Sequence, residues 1–207
     1  MKAETRERRR NEILDAALAV LAERGYRDAN MLEVARRAAA SKETLYAWFG
    51  DKQGLFDALI RRNAAMVGTV VDRHLDGGLP IESALVDFGE ALLGLLLGDD
   101  AVAINRAAVS EAASDPTLAR TLASAGRDAV LPGFVRLLRR HAEQNRLSFA
   151  DPDRAAEDFL GLLLGDAQVR RLLGVAPAPS AAEVAVRAAR ATRGFLRLYG
   201  SSEAKSG

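Results

Sequence analysis

Cysteine is absent from the 207 residues. That removes disulfides and thiolate chemistry and leaves the chain at ease in a reducing compartment. Histidine is scarce: there are two, His74 and His141. Neither sits in an H-E-x-x-H or Glu-x-x-His arrangement, and no G-x-S-x-G elbow or glycine-rich phosphate loop occurs. Asp151 and Asp153 read better as a helix cap than as a metal pair. No catalytic residue, metal or cofactor is expected. Long apolar runs are missing too. The richest, "ALLGLLLG" (91–98) and "FLGLLLG" (159–165), fall far below the roughly 20 residues needed to span a bilayer. Behind Met1, "KAETRERRRNE" has no apolar signal core, which points away from export. A cytoplasmic protein with no membrane partner is expected. Nowhere is there a sustained period-two run of β-branched residues, so no sheet is expected either.

What remains is length for one ordinary domain, or for a small domain joined to a larger one. The formal charge of +1 hides an asymmetry. Residues 1–62 hold 13 Lys/Arg against 10 Asp/Glu, whereas the rest of the chain holds 16 against 18. A positive N-terminal part suits a negatively charged partner. Within it "RERRR" (6–10) concentrates four arginines, a pattern that also fits a solvated helix start.

The chain reads as about nine helices. Ile13, Leu14, Ala17, Leu18 and Leu21 recur at helical spacing, and Gly25 ends this first helix, near 5–24. Asn30 with Glu33 caps a second near 31–38, and Ser41 caps a third near 42–49. A fourth runs from about 52 to 75, where "DGGLP" breaks it. Pro80 opens a helix to about 97, and "GDD" (98–100) separates it from another ending near Ser114. Asp115-Pro116 and Asp151-Pro152 each pair a cap with a proline at the first helical position. The second of these opens a helix over 153–173. Ser180 with Glu183 forms a capping box before the last helix, to about Leu198. Residues 201–207 read as a frayed tail. "GLLLGD" occurs at 94–99 and 161–166, but its flanks do not match, so it reads as coincidence of composition. Gly161 and Gly165 lie one turn apart, each costing about 1 kcal/mol relative to Ala in a helix interior. Close approach of another helix would recover that cost.

On a 100° wheel, residues 42–49 gather Leu45, Trp48 and Phe49 on one side. That side can close a small core with Ile13, Leu14, Leu18, Val34 and Leu55. The other side carries Lys42, Glu43, Tyr46 and Ala47, with Thr44 on a flank and Ser41 at the start. Short side chains, hydroxyl and ammonium donors and a helix N-terminus suit phosphate oxygens and base edges. Helix 31–38, the turn "AAAS" and helix 42–49 have helix-turn-helix spacing, with the motif over about 30–49.

In "ILDAALAVLAERGYRDANMLEVARRAAASKETLYAWFGDKQGLFDALI" (13–60) the chain closely resembles the DNA-binding domain of the TetR family of transcriptional regulators. The carrying elements are "ERGY", "EVARRAAASKETLY" and "LYAWFGDKQGLF". The stretches "SEAASDPTLARTLASAGRDAVLPGFVRLLRRHAEQNRL" and "DPDRAAEDFLGLLLGDAQVRRLLG" look like the C-terminal region of its AefR-like branch. The resemblance implies an all-α fold with an N-terminal three-helix DNA-binding domain (7–67) and a larger ligand-binding and dimerisation domain (68–200). It implies that Lys42 and Glu43 face base edges, Glu43 accepting from a cytosine amine. Thr44, Tyr46 and Trp48 would donate to phosphates, Ala47 would touch a thymine methyl, and Met31 and Lys52 would brace the DNA backbone. Arg6, Arg8, Arg9 and Arg10 would reach along the DNA as an arm. One departure stands out: the family commonly has Gly-Val before the turn serine, where this chain has Ala39 and Ala40. If residue 39 needs positive φ, alanine is strained there.

For the larger half the resemblance implies a homodimer joined through the last two long helices. Gly161, Leu162, Gly165, Ala185, Ala189 and Phe195 are the candidate interface residues. It also implies a small-molecule effector bound in a largely apolar pocket, for which Phe88, Asn105, Val109 and Phe134 are candidates. The function implied is a ligand-responsive repressor on a palindromic operator of double-stranded DNA. A helical interaction module without DNA binding and a small helical enzyme are the alternatives.

Overall fold

The structure, a computed structural model, describes residues 2–78 and 80–201. Of the expected tail, all but Ser201 lies outside the described residues. Eleven α-helices and a π-helical segment account for the described secondary structure, beside one isolated pairing of Leu147 with Gly200. The all-α expectation is met, and the count of nine is corrected upward. The stretch read as one helix after Pro116 divides into α7 (Thr117–Thr121), a π-helical segment (Leu122–Arg127) and α8 (Asp128–Glu143). The hydrogen-bond ladder slips just before Pro132, whose ring denies a partner to the carbonyl one turn back. The stretch 153–173 divides into α9 (Pro152–Leu164) and α10 (Ala167–Leu172) at Gly165, which has φ 49 and caps α9. Gly165 is therefore a helix stop and not an interior glycine. Both copies of "GLLLGD" behave alike, because Gly98 likewise follows the last residue of α5 (Ile81–Leu97).

By packing, the chain forms two units. One comprises the chain up to Asn63 together with Asp100–Arg127; the other comprises Ala64–Asp99 and the chain from Asp128 onward. The 67/68 boundary expected from sequence divides the chain by function, whereas packing places α6 (Asp99–Glu111), α7 and the π-helical segment largely with the N-terminal helices.

In the first unit, α1 (Lys2–Asp28) leaves helical conformation at Gly25, φ 73, where the sequence placed its stop. Ile13, Leu14, Ala17 and Leu21 from α1 are buried with Val34 of α2 (Met31–Arg37) and Leu45 and Phe49 of α3 (Lys42–Phe49). Leu55, Phe56 and Leu59 of α4 (Lys52–Gly77) complete this cluster with Ile104, Ala107, Ala108 and Leu118. Each fully buried Leu, Ile or Phe here contributes roughly 1.5–3 kcal/mol over its exposed state.

The second unit is organised by aromatic rings. Phe88 stacks on Phe134 with centroids 4.0 Å apart, Phe159 packs on both, and Phe195 meets Phe159 edge-on at 5.5 Å. Close helix approach happens at Gly89 of α5, where a Cβ would lie 3.1 Å from Leu163 and 3.2 Å from Ala188 of α11 (Ala181–Tyr199). Gly161, expected to mediate such an approach, has nothing within 4 Å of its would-be Cβ. Two later caps read from sequence are in place, since Asp151 accepts from the N–H groups of Asp153 and Arg154, and Ser180 and Glu183 close a capping box. Pro116, by contrast, is itself the N-cap of α7 and not its first residue, with Asp115 accepting the Thr117 N–H at 3.0 Å. His74 and His141 are both buried, His74 with Nε2 2.9 Å from Asp87. Burial, with the charges of Arg146, Arg140 and His74, holds the His141 imidazole below its ordinary pKa.

Two outcomes follow from this packing. Gly89→Val should lower stability by roughly 1–3 kcal/mol, because α5 cannot retreat from two helices at once; an unchanged melting temperature would contradict the close approach. Because the folded chain holds the His141 pKa below that of the unfolded chain, near 6.5, stability is lost as pH falls below about 6.5 toward the lower folded value. Urea unfolding at a series of pH values from about 7.5 to about 5.5 should show that loss, and His141→Phe should flatten it. An equal slope in the variant would exclude His141 as its source.

Candidate nucleic-acid interface

The corner between α2 and α3 is assembled from local signals. Asn30 Oδ1 accepts from the Glu33 N–H at 2.9 Å and starts α2. At the far end Ala38 closes the helix, Ala39 turns to φ 47, and the Ala40 N–H returns to the Ala35 carbonyl at 2.9 Å. The positive φ anticipated at residue 39 is thus real and costs an L-residue about 1–2 kcal/mol. Ser41 Oγ accepts from the Thr44 N–H at 3.1 Å and lies 3.0 Å from the Thr44 hydroxyl. These bonds start α3 and commit much of the hydrogen-bonding capacity of both hydroxyls.

The two faces of α3 divide as the wheel predicted. Leu45 and Phe49 are buried and Trp48 packs half-buried against the same core. Lys42, Glu43, Tyr46 and Ala47 are exposed. The Lys42 ammonium lies 5.6 Å from the Tyr46 ring centre, so the two form one donor-bearing patch. The Glu43 carboxyl is held below its usual pKa by its own backbone N–H and the Ser41 hydroxyl, which keeps it an acceptor at neutral pH.

Other expected contacts lie elsewhere. Met31 is 6 % exposed, its side chain spent in the core, so it cannot brace a DNA backbone. Lys52 Nζ donates to the carbonyls of Tyr26 (2.8 Å) and Arg27 (3.2 Å) and lies 4.3 Å from the Tyr26 ring centre. Two of its three donors are used, which makes it first an internal tie at the Gly25 corner. The arginines do not form a detached arm, because the described chain is helical from Lys2. Arg6 lies over the Trp48 ring at 5.5 Å and Arg10 over Phe49 at 5.4 Å. Arg9 donates to the carbonyls of Ala38 and Ala39, each at 2.7 Å. Arg8 faces solvent, 3.6 Å from Glu12. Much other N-terminal positive charge is paired as well, Arg36 with Glu33, Arg37 with Glu23 and Arg62 with Asp15.

Two groups at this corner went unseen in the sequence. The Glu111 carboxylate of α6 accepts the Arg27 backbone N–H at 2.6 Å, and Ser114 Oγ accepts from Arg27 Nη2 at 3.1 Å. They lie over 80 residues along the chain, and no local pattern marks them. The Arg6, Arg9, Arg10 set did carry a signal, since i, i+3, i+4 spacing puts all three on one face of α1.

The expected effector residues are shared between the two units. Phe88 and Phe134 stack in the closed core of the second unit, whereas Asn105 bonds back to the Ala101 carbonyl and Val109 is 70 % exposed in the first. A cleft of about 320 Å³ in the second unit is lined by Leu93, Leu97, Val184, Arg170, Arg171 and Arg187 among others, and contains none of the four. Of the expected interface residues, Gly161, Leu162 and Gly165 are exposed, and Ala185 and Ala189 are half-buried. Phe195 is 0 % exposed against Phe159 and has no surface for a partner. Besides Leu162, outward apolar side chains are Val169 of α10, Leu173 at its C-cap, and Val186 and Leu198 of α11.

The comparisons agree with this geometry. The profile "Bacterial regulatory proteins, tetR family" matches residues 13–59, and that of the "AefR-like transcriptional repressor, C-terminal domain" matches residues 83–201, more than half of the chain. The chain belongs to the TetR family. Among solved structures, the TetR transcriptional regulator from Agrobacterium tumefaciens is 33 % identical, with 96 % of this chain and 97 % of that chain covered and a TM-score of 0.77. The flavonoid-responsive regulator FrrA is 27 % identical over 94 % of this chain and 98 % of its own, with a TM-score of 0.69. Curated relatives match over about a third of the chain. HTH-type regulator YvkB of Bacillus subtilis is 36 % identical over 61 residues, 30 % of this chain and 32 % of YvkB. BetI of Serratia proteamaculans is 37 % identical over 67 residues, 32 % of this chain and 34 % of BetI. The match therefore spans about a third of those relatives' length. As a TetR-family member the chain is a DNA-binding transcriptional regulator and not an enzyme. No described helix is long and apolar enough to cross a membrane.

Lys52→Ala should destabilise the first unit by about 1 kcal/mol, because two charge-assisted bonds at the Gly25 corner are lost. Lys42→Ala, on the open face, should stay within about 0.5 kcal/mol of the parent. Equal urea midpoints for the two variants would contradict the tie.

Proposed function

We propose that the chain represses transcription from the cytoplasm as a homodimer on a palindromic operator, and that a small, largely apolar effector releases it. The observation that carries the DNA reading is the division of α3, with Leu45 and Phe49 anchored while Lys42, Glu43, Tyr46 and Ala47 face outward. Lys42 faces base edges, and Tyr46 donates to a phosphate, as do Ser41 and Thr44 with what their capping bonds leave. Glu43 accepts from a cytosine amine, and Ala47 meets a thymine methyl. Trp48, half-buried beneath Arg6, donates to a phosphate through its indole N–H.

Dimerisation is supported by the outward apolar side chains Leu162, Val169, Leu173 and Val186, which a single copy leaves in water. A two-fold partner places two recognition helices about 34–36 Å apart, one turn of duplex. The effector reading is supported by the match to an AefR-like repressor C-terminal domain and by the likeness to a regulator described as flavonoid-responsive. Binding energy that favours one conformer of the second unit would lower operator affinity by the same linkage.

Selection of bound fragments from random-sequence duplex should return an inverted repeat with half-sites about one helical turn apart. Tyr46→Phe should weaken binding to every sequence, and Glu43→Gln should alter base preference more than affinity. No binding to any duplex at low salt would refute the DNA-contact roles, since phosphate contacts alone give some. Leu162→Asp should sediment as a monomer if this face pairs copies; an intact dimer would place the interface elsewhere.

A further inference from the structure

We propose that Arg9 is a positioning residue: it pins the α2–α3 turn in the conformation that aims the recognition helix, and makes no contact with DNA itself. This rests on the reading of α3 as the DNA-contacting helix. Ala39 sits at φ 47 without the freedom glycine would have. The turn also ends α2, where carbonyl oxygens lack helical partners and the helix dipole is negative. One guanidinium answers both problems. Arg9 Nη2 donates to Ala38 O and Ala39 O, each at 2.7 Å, across the strained residue. Nη1 donates to Glu12 Oε2 at 2.7 Å, which fixes the plane of the fork. An ammonium lacks the planar fork that spans these acceptors in one fixed geometry.

The neighbours on the same face of α1 extend the hold. Arg6 over Trp48 and Arg10 over Phe49 grip the C-terminal turn of α3, at 5.5 and 5.4 Å. The recognition helix is therefore set against α1 at its entrance by Arg9 and at its exit by Arg6 and Arg10. Arg9's side chain is 35 % exposed, but its charge is paired with Glu12 and its Nη2 is engaged by two carbonyls, so it adds little to the charge DNA would feel. Losing it should blur sequence discrimination and leave general attraction to phosphate intact.

The test compares the parent, Arg9→Ala, Ala39→Gly and the double variant. Thermal melts confirm folding, and amide exchange at residues 39–41 is read in the free protein. Affinities are measured over a salt series for a selected duplex and a random-sequence duplex. Arg9→Ala should weaken the selected duplex about tenfold and speed exchange at 39–41, while random-duplex affinity and salt slope stay put. In the Ala39→Gly background the same substitution should cost about threefold or less, because glycine holds the turn without the pin. The proposal is overturned if both duplexes weaken equally and the slope falls by about 0.9, the mark of one lost phosphate contact. It is also overturned if Ala39→Gly recovers nothing. Should Arg9→Ala not fold, Arg9→Lys should show the same selective loss, smaller in size, and an unselective loss would again overturn the idea. A parent that binds no duplex removes the DNA reading, while the exchange data still decide whether Arg9 pins the turn.

Discussion

An eight-residue helix has almost no stability of its own, so α3 exists because its back is held. Leu45 and Phe49 are sunk in a core shared with Ile13, Leu14, Val34 and Leu55. That burial consumes one side of the helix and leaves the other free of structural duty. Lys42, Glu43, Tyr46 and Ala47 can face outward because nothing in the fold needs them. The same division explains why the unit recruits α1, α2, α4 and α6 around so small an element.

Charge in the first unit is spent in an instructive way. An excess of arginine in the first ten residues invites the idea of an arm lying along DNA. Instead Arg9 donates to two turn carbonyls, and Arg6 and Arg10, though exposed, lie over two aromatic faces. Lys52 does likewise at the Gly25 corner, where Glu111 supplies the opposite charge to a backbone N–H. Positive residues therefore help to hold α3 in place, and the patch that faces outward on it is modest.

Features decided within about four residues were legible beforehand. The caps at Asn30, Ser41, Asp151 and Ser180, the stop at Gly25, the positive φ of Ala39 and the two faces of α3 all follow from short-range chemistry. What failed depended on distant partners. Gly165 looked like an interior packing glycine until its φ made it a helix stop, whereas the crowded glycine, Gly89, sat in an unremarked run of α5. Phe195 and the Phe88–Phe134 pair were assigned to surfaces and pockets, yet aromatic stacking between helices drew them into one core. Met31 and Arg9 were assigned outward for the same reason: periodicity says which face a residue occupies, not what stands opposite that face.

Amide hydrogen exchange of the whole protein, with and without its selected duplex, tests the central division most directly. Slowed exchange in the turn and N-terminal part of α3, residues 40–47, with the aromatic core of the second unit unchanged, is the expected result. Protection elsewhere on the surface with α3 untouched would contradict it.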